Sequence, residues 1–104
     1  MGNQAKPILR GDTMQINITF QDNNAVSDPA TLHTGTSDYA EFHANDHNYR
    51  VFFPSGSPFS ASTFDVPRGT AVRQTPTGAN GTFKYNLKNL DTGVEKDPKI
   101  IIQP

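Results

Sequence analysis

Three histidines, His33, His43 and His47, are the residues of this chain best suited to chemistry. An imidazole can ligate a transition metal, move a proton or bind a carboxylate. His43 and His47 stand four apart with Asn45-Asp46 between them, so Asp46 adds a carboxylate to any site they share. On a continuous strand that spacing puts both side chains on one face; across a turn it does not. His33 joins only if neighbouring strands carry it there. Such a set suits Zn, Ni or Cu(II) better than Ca. No zinc-type ligand spacing is present, however. The competing reading makes His33 and His43 surface residues of strands. His47 is then a partly buried ring bonded to a loop carbonyl. The expectation is therefore no metal site, with His33, His43, His47 and Asp46 as the only candidates, and no cofactor.

Catalysis has less to stand on. Ser55, His47 and Asp46 can be drawn as a Ser-His-Asp set, but no nucleophile elbow surrounds the serine. Asp28, Asp38, Glu41, Asp65 and Asp97 are scattered and read as turn residues or solvated strand faces. Gly78-Ala79-Asn80-Gly81 lacks the strand before and helix after that a phosphate loop needs, so it is a turn. The chain has no cysteine, which removes disulfides, thiolate metal ligands and cysteine nucleophiles. Its formal net charge is −1, with no run of like charges longer than two residues. That leaves no basic patch for phosphates, so nucleic acid is not an expected partner. The expectation is a protein that is not an enzyme.

The elements that position these residues read as short strands. Met14, Ile16, Ile18 and Phe20 alternate with Gln15, Asn17, Thr19 and Gln21, and Gln21-Asp22-Asn23-Asn24 closes the strand with turn chemistry. Further strands are predicted around Ala30–His33, Tyr39–His43, His47–Phe53, Phe64–Val66, Thr70–Gln74, Thr82–Lys88 and Pro98–Ile102. In Thr82–Lys88 the residues Phe83, Tyr85 and Leu87 form the dry face. Pro54-Ser55-Gly56-Ser57-Pro58 is a firm stop, since proline has no N–H for a ladder. Of Phe52 and Phe53, alternation buries only one. The other is expected to cover an edge or pack under the Phe59 loop, ahead of forming an exposed apolar patch.

No ten-residue window is helical without a Gly, Pro or turn cluster. The fold class is therefore all-β, an antiparallel Greek-key β-sandwich of seven to eight strands. At 104 residues the chain makes one domain, 13–104, preceded by a loosely ordered segment, 1–12. No apolar run reaches transmembrane length, so membrane insertion is not expected. The N-terminus is no signal peptide. The compartment stays open between cytoplasm and, had a signal been removed, periplasm or exterior.

Thr34-Gly35-Thr36, Phe42–Asn48, Phe64–Gly69, Gly81–Leu87 and Asp97–Ile102 form an ordered set of modest motifs over roughly residues 14–102, and this set resembles the cupredoxins, the blue-copper type of β-sandwich. Gly81-Thr82-Phe83-Lys84-Tyr85-Asn86-Leu87 is similar to the strand that brings the cysteine ligand to copper. Phe42–Asn48 resembles the segment carrying the first histidine ligand, with His47 about where that ligand falls. Thr34-Gly35-Thr36, Phe64–Gly69 and Asp97–Ile102 resemble the turn before the third strand, the Pro-x-Gly stretch and the last strand. The resemblance implies a cupredoxin-like fold, and the departures remove its redox chemistry. Leu87 stands in the cysteine position, and Leu87–Gly93 holds no Cys, His or Met. Type 1 copper needs two imidazoles and a thiolate, so one imidazole is not enough.

The expected role is a non-catalytic binding or structural module that meets a protein, glycan or small ligand through loops at one sandwich end. Its candidate residues are His47, Ser57, Pro58, Phe59, Leu90 and Asp91. The alternative is a divergent histidine-based metal protein. A third reading is assembly through an exposed strand edge, with the oligomeric state open.

Overall fold

Alternation becomes strand wherever it is strong. In the computed structural model, which describes residues 14–104, β1 (Gln15–Gln21) buries Ile18 and Phe20 and exposes Gln15, Asn17 and Gln21. Met14 precedes the strand and is exposed, so the dry face starts at half-buried Ile16 instead. The expected loose segment 1–12 lies outside the described residues. β1 turns into β2 (Asn24–Ala25) through Asp22 and Asn23, at φ 53° and 67°. Two consecutive left-handed residues make the hairpin turn whose twist matches its strands, and Asp and Asn tolerate that backbone best after glycine.

The chain continues as β3 (Ala30–His33), a 3-10 turn (Thr34–Thr36), β4 (Tyr39–Ala44), β5 (Tyr49–Phe52), β6 (Thr63–Val66) and β7 (Ala71–Gln74). It ends with β8 (Gly81–Lys84), β9 (Asn86–Asn89), β10 (Glu95–Lys96) and β11 (Lys99–Gln103). One layer has the order β2-β1-β4-β7. The other contains β10-β9-β5-β6 and β3-β11-β8.

These last two sheets are joined by continuous chain. β8 pairs with β11, and β9 with β10, in one unbroken antiparallel register. The ladder is interrupted at Pro98, which has no N–H to donate, although its carbonyl accepts the Tyr85 N–H at 3.0 Å. The predicted strand Thr82–Lys88 is thus a single path in two halves. The eleven strands among the described residues exceed the expected seven to eight for that reason, and because β2 and β10 are two-residue strands too short to show a period.

Among the described residues six strand pairs are antiparallel, in keeping with the expected antiparallel sandwich, and two are parallel. β1 runs parallel to β4, and β3 parallel to β11. A parallel pair requires a long crossover. Between β1 and β4 the chain makes one by visiting the opposite layer as β3. Alternation reports which face is dry and carries no information on strand direction.

Aromatic rings join the layers. Tyr49, Phe20 and Phe42 follow one another at centroid distances of 5.4 and 5.7 Å. Phe42 meets Phe59 at 5.9 Å, Phe59 meets Phe53 at 5.9 Å, and Phe53 meets Tyr85 at 5.2 Å. All six are buried, at 3% exposure or less. Phe53 takes the inward place. Phe52 points out at 44% exposure. Among the described residues no helix is long and apolar enough to cross a membrane, which bears on helices only.

Candidate functional site

The loop between β4 and β5, residues 45–48, is tied to two other segments by two aspartates. Asp46 stands first. Its Oδ1 accepts the Tyr49 hydroxyl at 2.8 Å, and its Oδ2 accepts the Asp22 N–H at 2.9 Å. The loop is thereby fixed to the β1–β2 turn. The Tyr49 oxygen also accepts the Asn23 N–H at 3.2 Å. The Asp22 N–H holds the Asp46 carboxyl below the usual carboxylate range, and the Tyr49 hydroxyl and nearby His47 add to this against a cost of burial. Burial, and then the bond to Asp46, push the Tyr49 hydroxyl up to about 12.

Asp91 makes the second tie. Its Oδ2 lies 3.0 Å from His47 Nδ1 and accepts the Asn48 N–H at 3.1 Å, while Oδ1 accepts Asn48 Nδ2 at 3.1 Å. The Asn48 N–H, then its side chain and His47, hold the Asp91 carboxyl below its ordinary value. Asn48 Oδ1 accepts the Arg68 N–H at 2.9 Å, drawing in the β6–β7 connection.

Beneath this pair, fully buried Asn89 donates to Asn23 Oδ1 at 2.7 Å and accepts the N–H groups of Asp91 and Thr92 at 2.9 and 3.2 Å. Gly93, at φ 81°, closes the β9–β10 hairpin with its N–H on the Asn89 carbonyl at 2.7 Å. A side chain at that φ is strained, which explains glycine there. Leu90 and Val94 flank the hairpin and stay exposed at 37% and 38%. Sequence reasoning named Leu90 and Asp91 but missed Asn23, Asn48 and Asn89. Their turn-forming type was visible, and their pairing across 66 and 43 positions was not.

The three histidines do not converge. His33 Nδ1 lies 3.5 Å from buried Asp38, and His43 Nε2 lies 3.2 Å from Glu41 without hydrogen-bond alignment. His47 faces Asp91, a carboxylate rather than the loop carbonyl expected of it. Asp46 is engaged by Tyr49 and Asp22. Among the described residues no group of three or more His, Cys, Asp or Glu is placed to hold a metal ion. The drawn Ser55-His47-Asp46 set is not assembled either, because His47 and Asp46 each bond elsewhere.

The expected grouping of Ser57, Pro58 and Phe59 with His47 also needs correction. β5 starts beside His47 and leads away from it, so residues 57–59 lie at the opposite end. There the Pro58 carbonyl accepts the Thr77 N–H at 2.9 Å and Phe59 bridges to Pro76. Pro58 and Phe59 are buried, and Ser57 Oγ caps the loop by accepting the Phe59 N–H at 3.0 Å. His47, Leu90 and Asp91 alone of the named set share an exposed end.

Type 1 copper does not fit these residues. Leu87, in the position where the resemblance would put cysteine, is fully buried and paired with Val51. β9 runs on to Asn89, and the hairpin beyond it offers carboxylate and amide groups in place of thiolate, imidazole and thioether.

No family model and no curated protein matches the chain. Among solved structures it is similar to the reduced Cu(I) form at pH 4 of an amicyanin variant, with TM-score 0.62 and 14% identity over 85% of this chain and 81% of that one. An oxidised amicyanin variant gives TM-score 0.63 and 14% identity over the same shares. The likeness is one of fold: the chain is a cupredoxin-like β-sandwich that lacks the copper ligands.

Proposed function

We propose that the protein is a non-catalytic recognition module whose His47–Asp91 end contacts another protein. The observation that carries this reading is the Asp91 carboxylate, which binds His47 and both nitrogens of Asn48 within 3.1 Å. It supports the reading because it holds the β9–β10 hairpin in one position and leaves Leu90 and Val94 at the surface. Loops fixed on a rigid scaffold lose little freedom on binding. Exposed aliphatic side chains beside a polar pair give such a contact both apolar area and orientation. The acid–base pair His47–Asp91 bonds to no hydroxyl among the described residues, so it supports positioning ahead of nucleophilic chemistry.

The test is capture of a partner from the native source by wild-type chain and by three variants. Loss with Leu90→Asp and with Val94→Asp, and retention with Phe52→Ser on the outward sheet face, is the expected pattern. Retention by all three variants contradicts the proposal. Binding on a glycan array that Leu90→Asp abolishes, with no protein captured, replaces the protein partner with a glycan. Shifts of the His47 ring resonances on Zn(II), Ni(II) or Cu(II) titration would revive the metal reading.

A further inference from the structure

We propose that Asn80 is a site of spontaneous covalent modification, deamidating through attack by the main-chain nitrogen of Gly81. Eight asparagines lie among the described residues. Seven engage their side-chain amides in hydrogen bonds, Asn48 and Asn89 through both amide atoms. Asn80 makes no such bond among the described residues. It is also the one asparagine in the chain followed by glycine. A side chain on the following residue shields its nitrogen, and Gly81 has none. Even a Cβ built there would meet nothing closer than the Phe83 ring at 3.8 Å.

The backbone permits the approach as well. Asn80 lies in the exposed connection between β7 and β8, outside any ladder. Gly81, at φ 141°, opens β8, which is the edge strand of the sheet β3-β11-β8. In this register Tyr85 and Asn89 donate across the ladder to Pro98 and Val94, so the Gly81 N–H faces Ile102 and the attack proceeds as this terminal pair of the ladder frays.

The chemistry needs only solvent water. The Gly81 nitrogen gives up its proton and bonds to Asn80 Cγ. The bond from Cγ to Nδ2 breaks, ammonia leaves, and a five-membered succinimide remains. Water then adds to either ring carbonyl and opens it to aspartate or isoaspartate. The product is one unit more negative than the chain's formal −1. Isoaspartate also lengthens the main chain by one methylene just before Gly81, which pairs with Ile102.

The test incubates the folded full chain in neutral buffer at physiological temperature and follows tryptic peptides by mass. The peptide 74–84, between the cleavage points after Arg73 and Lys84, contains Asn80 as its sole asparagine. It is expected to gain one dalton roughly tenfold faster than any peptide carrying another described asparagine. Breaking a held amide's hydrogen bond costs about 0.5–1.5 kcal/mol, and 1.4 kcal/mol is tenfold. Asn80→Gln should abolish the gain, an isoaspartate methyltransferase should label the product, and unfolding in denaturant should raise the rates elsewhere. An unmodified 74–84 peptide, or equal rates at the hydrogen-bonded asparagines of the folded chain, overturns the proposal.

Discussion

Tyr49 and Tyr85 are alike in residue type and burial, and they sit at opposite ends of the aromatic series through Phe20, Phe42, Phe59 and Phe53. Tyr49 carries its hydroxyl to the loop end, where it donates to Asp46 and accepts from Asn23. The Tyr85 hydroxyl has no hydrogen-bond partner among the described residues. Burial raises the pKa of both, with Asp46 adding at Tyr49 and the Asp28 charge at Tyr85. A buried ring contributes packing in either place. A buried hydroxyl helps only where a partner awaits it. One tyrosine therefore belongs to the polar network of the site, and the other to the core alone.

Cutting the series between the two regions should have the largest effect. Phe42 is fully buried and touches Phe20, Phe59 and Phe64. Phe42→Ala should cost about 3–5 kcal/mol in urea unfolding. Next comes one substitution with opposite signs. Tyr49→Phe should lower stability by about 1–3 kcal/mol, because it strips a donor from Asp46. Tyr85→Phe should leave stability unchanged or raise it by up to about 1 kcal/mol, since it removes an unsatisfied hydroxyl. Equal losses from the two variants would erase the distinction.

pH sharpens the same contrast. Asp46 and Asp91 have lowered folded pKa values, so their stabilisation is present above the ordinary carboxylate value and fades as pH falls through the folded ones. Tyr49 has a raised folded pKa, so its contribution is complete below the unfolded tyrosine value of about 10 and is lost as pH rises through about 12. Urea midpoints against pH should therefore fall at both extremes, and the Tyr49→Phe variant should be less sensitive at the alkaline one. The smallest effect is expected outside both regions. Lys84 pairs with Asp97 at 3.2 Å with both side chains largely exposed, so Lys84→Ala should change stability by less than about 0.5 kcal/mol.

The two regions were unequally legible in the sequence. Alternation put Met14, Ile16, Ile18 and Phe20 on one dry face and Phe83, Tyr85 and Leu87 on another; Ile18, Phe20, Tyr85 and Leu87 are buried, Ile16 and Phe83 are half-buried and Met14 is exposed. Burial follows from period two alone, whereas the direction of pairing does not, so the parallel pairs β1–β4 and β3–β11 stayed hidden. Polar placement was harder. Asp46 and His47 read as candidate ligands, yet their partners Asp22 and Asp91 come from turns far along the chain. Ser57-Pro58-Phe59 looked like a loop of the same end. Its distance from His47 depends on β5 running outward, which no local pattern encodes.

The central claim is that carboxylates, Asp91 foremost, organise the end of this cupredoxin-like sandwich that lacks copper ligands. Amide hydrogen exchange in Asp91→Ala tests it most directly. The account predicts that the amides of Asn48, Thr92 and Gly93 lose protection while those of Val51 and Leu87 keep theirs. Unchanged protection at Asn48, Thr92 and Gly93, or an equal loss across the core, would contradict it.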